Sequence, residues 1–145
     1  MPVFTNPPFA EIAALLRRAR VIAVVGLSAD PGRPSHRVAR ALQEFGYRII
    51  PVTPSAPQVL GERSVADLDH LGARVAQTGP VDIVQVFRRP EFVAGIVADC
   101  IRVQVPALWL QDGVVHEAAA LQARRAGIFT VMDRCLFRDR AGLGH

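Results

Sequence analysis

Two short stretches of this chain combine glycine, hydroxyl and guanidinium groups in a pattern suited to phosphate. The first is Gly26-Leu27-Ser28-Ala29-Asp30-Pro31-Gly32-Arg33-Pro34-Ser35, which directly follows the apolar run Val21-Ile22-Ala23-Val24-Val25. The second is Phe87-Arg88-Arg89-Pro90, which follows Val81-Asp82-Ile83-Val84-Gln85-Val86. A buried strand that ends in a Gly/Ser turn and opens into a helix presents backbone N–H groups to an anion. Arg33 adds a guanidinium, which matches phosphate oxygens two at a time. These residues point to a phosphate-bearing nucleotide.

Alternative roles weigh on several of these positions. Ser35 suits an N-cap as well as a phosphate contact. His36 and Arg37 fall on the first turn of the next helix, where surface positions are the simpler reading. Arg88 is expected at the ligand and Arg89 in solvent. Phe87 fits either the core or an apolar wall. Trp109 sits inside a strand and reads as core, Gln111 at that strand's end offers an amide, and Gly113 reads as a turn glycine.

A nicotinamide dinucleotide would require G-x-G-x-x-G and a carboxylate about 20 residues further on. Here Ser28 takes the place of the second glycine, and the run Val52-Thr53-Pro54 offers no acid. Catalytic patterns are equally sparse. His70, His116 and His145 have no partner pattern, and neither metal-ligand spacing nor a nucleophile elbow occurs. Cys135, beside Arg134, reads either as a reactive thiol or as a small, partly buried residue.

At 145 residues with 50% hydrophobic composition, the chain is expected to form one domain, 1–145, with a substantial core. Two cysteines are too few for a disulfide scaffold, and no leader or apolar run of spanning length is seen, so a cytoplasmic setting is expected. The formal charge is +4, and all 17 basic residues are arginines. Arg-rich codon usage or an anionic partner would both account for this. Nucleic acid is not expected, because the arginines are dispersed and aromatic residues for base stacking are few. A membrane is not expected either.

The elements that must position these residues alternate. Apolar spacing predicts helices over 8–20, 35–45, 90–103 and 115–126, and strands over 21–26, 47–52, 81–87, 107–111 and 128–132. A short strand at 62–65 and a helical turn at 66–71 are weaker signals, and 54–61 reads as loop. Residues 1–20 are expected to form a helical extension. Such alternation implies right-handed crossovers, hence an open, mainly parallel α/β sheet, Rossmann-like, in three αβα layers. In that architecture ligands bind beyond the C-terminal ends of the strands. Gly26, Val52-Thr53-Pro54, Phe87-Arg88 and Gln111-Asp112-Gly113 then share one edge.

Taken in order, several segments resemble the coenzyme A-binding domain proteins, a family similar to the N-terminal nucleotide-binding domain of the succinyl-CoA synthetase α subunit. They are Val24-Val25-Gly26-Leu27-Ser28, Arg33-Pro34-Ser35, Gly46-Tyr47-Arg48-Ile49-Ile50-Pro51-Val52-Thr53-Pro54, Leu60-Gly61, Val81-Asp82-Ile83-Val84, Val86-Phe87-Arg88, Trp109-Leu110-Gln111, Gly113 and Met132-Asp133-Arg134-Cys135. The resemblance implies a Rossmann-like fold holding coenzyme A (CoA) or an acyl-CoA. Gly26, Leu27, Ser28, Arg33 and Ser35 would take phosphates. Val52, Thr53 and Pro54 would flank the nucleotide, and Val86, Phe87 and Arg88 the pantetheine arm. The family usually has asparagine where Thr53 stands. Ligase chemistry is not expected, because the synthetase carries it on a further domain with a phosphorylated histidine. Two other readings stay open: an NAD(P)-binding enzyme or redox sensor, and a ligand-dependent adaptor of a protein partner.

Overall fold

The computed structural model describes residues 3–144; Met1, Pro2 and His145, the ends of the expected 1–145 domain, lie outside them. Strand β1 (Val21–Val25) is buried along its whole length, as its β-branched composition requires of a central parallel strand. It lies between β2 (Arg48–Val52) and β5 (Ile83–Val86), and β6 (Ala107–Leu110) and β7 (Phe129–Met132) complete the sheet. The order is β2-β1-β5-β6-β7, and every pairing is parallel. The chain direction of the winding therefore reverses between β1 and β5, which opens a crevice at their C-terminal ends.

Helices α1 (Phe9–Arg18), α2 (Pro34–Glu44) and α6 (Leu136–Ala141) cover one face, packing on Ile22, Val24, Ile83, Trp109 and Val131. Helices α4 (Val93–Val103) and α5 (Glu117–Arg125) cover the other, over Ala23, Val25, Val84, Val86, Leu108 and Leu110. These are the three layers expected from the alternation.

The N-terminal extension is part of this body. Ile12, Leu15 and Leu16 of α1 are core residues. The Asn6 side chain donates to the Met132 carbonyl at 2.9 Å and accepts from the Met132 N–H at 2.8 Å. It thereby occupies hydrogen-bonding groups of the sheet's outer strand, where unpaired groups would otherwise invite another chain.

Five details depart from the sequence reading. Residues 54–61 are not only loop: β3 (Gln58–Val59) pairs antiparallel with β4 (Glu62–Arg63), and Val65 bridges Val52. The helical turn expected at 66–71 is a 3₁₀ segment, Leu68–Arg74, followed by the short α3 (Val75–Thr78). The helix expected over 90–103 opens with a 3₁₀ turn, Pro90–Phe92. Helix α6 was not expected at all. His116, which showed no partner pattern in the sequence, caps α5 by accepting from the Ala119 N–H at 3.0 Å.

Candidate cofactor site

Strand register brings the candidate residues together. Val25 pairs with both Val52 and Val86, and Val86 pairs with Leu110. Gly26, Thr53, Phe87 and Gln111 are the next residue of each strand in turn and form a row across the sheet's C-terminal edge. Three hollows with volumes of about 440, 540 and 510 Å³ follow that row from β2 to β6. Gly26, Ser28, Arg33 and Arg88 line both the first and the second. Pro34, Phe87, Arg88 and Arg89 line both the second and the third. The result is one continuous cleft.

At its first end, Gly26 adopts φ +84°, a region that costs any residue with a Cβ. A Cβ there would also lie 2.9 Å from the Phe87 carbonyl oxygen and 2.9 Å from Arg88 Cδ. The absence of a side chain is what lets the Arg88 stem cross the turn. The Arg88 guanidinium lies 4.1 Å from the centre of the Phe92 ring, a cation–π arrangement. Arg33 and Arg88 have no carboxylate partner among the described residues. Arg89 is exposed and paired with Glu91 at 3.1 Å, as expected of a solvated residue.

The turn between β1 and α2 is held by its own side chains. The Ser28 N–H donates to Ser35 Oγ at 3.0 Å, Ser28 Oγ accepts from the Asp30 N–H, and Asp30 Oδ1 accepts from the Gly32 N–H. The His36 ring lies 2.9 Å from the Ser28 carbonyl, to which its Nδ1–H donates. The Arg37 guanidinium donates to the Gly32 carbonyl. These contacts correct the N-cap reading of Ser35. Arg33 is the N-cap, Pro34 opens the helix, and no side chain caps it. A helix start without a side-chain cap leaves its first N–H groups to other acceptors, and the macrodipole favours an anion there.

The remaining candidates divide. Pro54 and the Leu27 backbone segment border the first hollow. Thr53 does so too, but its hydroxyl is engaged with Ser55 Oγ at 2.8 Å and accepts from the Ser55 N–H. Val52 and Val86 do not line the cleft. They belong to the core under α4 and α5, because alternation turns them to the opposite face. The apolar lining expected from them comes instead from Pro34, Val38, Phe87, Val114 and Cys135. Gly113 lines this third hollow with φ +80°, and its N–H donates to Asp133 Oδ1. Gln111 lines it too, but its carbonyl oxygen is bound inside the fold by Gln85 and the Leu136 N–H. Cys135 is buried at the cleft wall, and the neighbouring Arg134 guanidinium is held by both Asp139 carboxylate oxygens at 2.7 and 2.9 Å. Trp109 is core, with its indole N–H donating to the Arg134 carbonyl.

Sequence reading missed Phe92, Val38 and Val114. Val38 carried a signal, one helical repeat before Leu42, but the same spacing serves a core position.

With this geometry established, relatedness decides the family. The family model for the CoA binding domain matches residues 20–140. The chain belongs to the CoA-binding domain family. The Bacillus subtilis (strain 168) protein YneT is 41% identical over 131 residues, covering 90% of this chain and 93% of that protein. Among solved structures, the Thermus thermophilus protein cell-free ID.343 superposes with a TM-score of 0.85 at 37% identity, over 94% of this chain and 99% of that one. The dinucleotide-forming acetyl-coenzyme A synthetase 1 of Ca. Korarchaeum cryptofilum shares the fold at 20% identity and TM-score 0.64, over 80% of this chain and 27% of that one. The family model begins at the end of α1, so the helical extension lies before the matched segment. No helix among the described residues is long and apolar enough to cross a membrane.

Proposed function

We propose that this member of the CoA-binding domain family holds CoA or an acyl-CoA along the strand-end cleft and catalyses no reaction on it. The observation that carries the proposal is the pairing, in one continuous cleft, of a cationic end with an apolar end. The turn after β1, the α2 N-terminus, Arg33 and Arg88 suit the diphosphate and 3′-phosphate. The Phe87, Val38 and Val114 walls suit the pantetheine arm, which needs apolar surface and few polar groups. The end of β2 carries Thr53 and Ser55, where a nicotinamide dinucleotide would want a carboxylate.

A binding role without chemistry fits the titratable groups of the cleft. They are arginines, Asp30, Asp112 and Cys135. Both aspartates are engaged within the fold, Asp30 by the Gly32 N–H and Asp112 by Arg138, which leaves no free carboxylate poised as a general base.

Calorimetric titration with CoA, acetyl-CoA, NAD and ATP tests the reading. Selective binding of CoA or acetyl-CoA is expected. Preference for NAD overturns it.

A further inference from the structure

We infer that Gln111 presents its amide nitrogen, and not its oxygen, to the cleft as a donor to a carbonyl of the bound arm, and that Gln85 is a positioning residue which, together with the Leu136 N–H, holds the oxygen end inside the fold. The inference rests on the CoA reading and names the group that would read the arm.

Gln85 lies in the middle of the sheet and is fully buried, on the face covered by α2 and α6. Its Nε2 donates to Gln111 Oε1 at 3.0 Å. The same oxygen accepts from the Leu136 N–H, the first of α6, at 3.2 Å. A backbone N–H can only donate, so the group facing Leu136 has to be the Gln111 oxygen. Gln85 must then present its own nitrogen, and its Oε1 is left buried without a partner. An unpaired buried carbonyl lowers stability, so the arrangement is retained against a cost.

The Leu136 N–H sets the direction of the Gln111 amide, and the second donor from Gln85 holds it there. With two donors on its oxygen, Gln111 cannot flip, and its nitrogen occupies the other arm of the amide. That nitrogen has no acceptor among the described residues, and it is not among their buried unpartnered atoms. Gln111 itself lines the apolar end of the cleft beside Phe87, Val114 and Cys135. A fixed donor on an apolar wall selects a carbonyl oxygen. The pantetheine arm carries two amide carbonyls, and an acyl thioester adds a third. The nucleotide part of the ligand presents no such group to this end.

The test compares CoA with its nucleotide fragment, adenosine 3′,5′-diphosphate, by calorimetry on wild type, Gln85→Leu, Gln85→Met and Gln111→Leu. Each variant is expected to lose about three- to tenfold in CoA affinity, the range for one neutral hydrogen bond, with fragment affinity unchanged. Combining Gln85→Leu with Gln111→Leu should add little, because both remove the same contact. The thermal midpoint of Gln85→Leu should hold or rise, since the unpaired acceptor leaves with the side chain. In wild type, the Gln111 side-chain amide resonance should shift with CoA and stay put with the fragment, a readout that needs no variant. CoA binding unaltered in Gln85→Leu overturns the positioning role alone. So does equal weakening of both ligands with a lowered midpoint, the mark of a purely structural residue. Wild type that binds no CoA overturns the CoA reading and this inference with it.

Discussion

At the Gly26 end of the cleft, Arg33 and Arg88 carry guanidinium groups with no carboxylate partner among the described residues, whereas toward the Gln111 end, which Arg88 also reaches, the other arginines are already matched. There Arg138 is tied to Asp112 at 3.0 Å and Arg134 to Asp139 at 2.7 Å. The walls differ in the same sense: a hydrogen-bonded Ser28–Ser35 turn on one side, Val38, Phe87 and Val114 on the other. Positive charge alone therefore does not single out a candidate anion site in a chain with 17 arginines. What distinguishes the Gly26 end as a candidate is charge left unneutralised beside a backbone turn and a helix start.

The strongest way to break this contrast is Gly26→Ala. The new Cβ would meet the Phe87 backbone oxygen and the Arg88 stem, both at 2.9 Å, from a backbone at φ +84°. The side chain can move, but the carbonyl cannot without disturbing β5. A loss of about 1–3 kcal/mol in unfolding free energy is expected from strain of this kind, read from denaturant curves. CoA binding should fall with it, because Arg88 loses its path over the turn. A variant with wild-type stability and affinity would remove Gly26 from the account.

Arg33→Ala sharpens the comparison. Losing a charge-assisted contact should weaken CoA binding by about 1–3 kcal/mol in calorimetry, with stability little altered because the side chain holds nothing in the fold. Arg138→Ala at the other end should change affinity by less than about 0.5 kcal/mol, since its exposed pair with Asp112 is a surface ion pair. Equal losses in the two variants would mean that the ends are not distinct.

The cationic end was the more legible in the sequence. Gly26, Ser28 and Arg33 follow a strand whose five residues are all apolar, and the rule for strand ends places them without side-chain detail. The fold was legible for the same reason, since β-branched runs alternate with helical spacing. The apolar end was read less well. Val52 and Val86 were chosen for lying near the right edge, but one residue of alternation decides which face a side chain meets. Val38 and Val114 come from other elements, brought in by packing. Helix α6 left little local trace, because six residues, of which two are arginines and one an aspartate, carry a weak apolar period. The buried Gln85–Gln111 contact spans 26 residues, and no local pattern encodes it.

The two cysteines give a smaller effect that also separates cleft from core. Burial on the inner face of α4, against the sheet, pushes the Cys100 thiol up to about 12, so it stays neutral and unreactive at neutral pH. Cys135 borders the apolar end of the cleft. Mass-spectrometric mapping of alkylation should find Cys135 modified well before Cys100 in the native protein, and CoA should slow the modification of Cys135. Reaction at Cys100 first, or no protection by CoA, would place Cys135 away from the bound arm.

The smallest expected effect lies at the opposite edge of the sheet, where the 3₁₀ segment Leu68–Arg74 carries His70. Its Nδ1 is 2.6 Å from Asp67 Oδ1, and that carboxylate holds the imidazole above the ordinary histidine range. The hydrogen bond to His70 in turn holds Asp67 below the usual carboxylate range. The raised histidine contributes stability that is complete below its unfolded pKa and is lost as pH rises through its folded one. The depressed aspartate contributes stability present above its unfolded pKa and lost as pH falls through its folded one. The pair therefore acts only between those two folded values, and both groups are exposed, so solvent screens it. Asp67→Asn should lower the His70 midpoint in an NMR titration while leaving CoA affinity unchanged across that range, because neither end of the cleft contains His70. A matching shift in CoA affinity would show that the two edges of the sheet are coupled, and the cleft's charge could then no longer be read from its own residues.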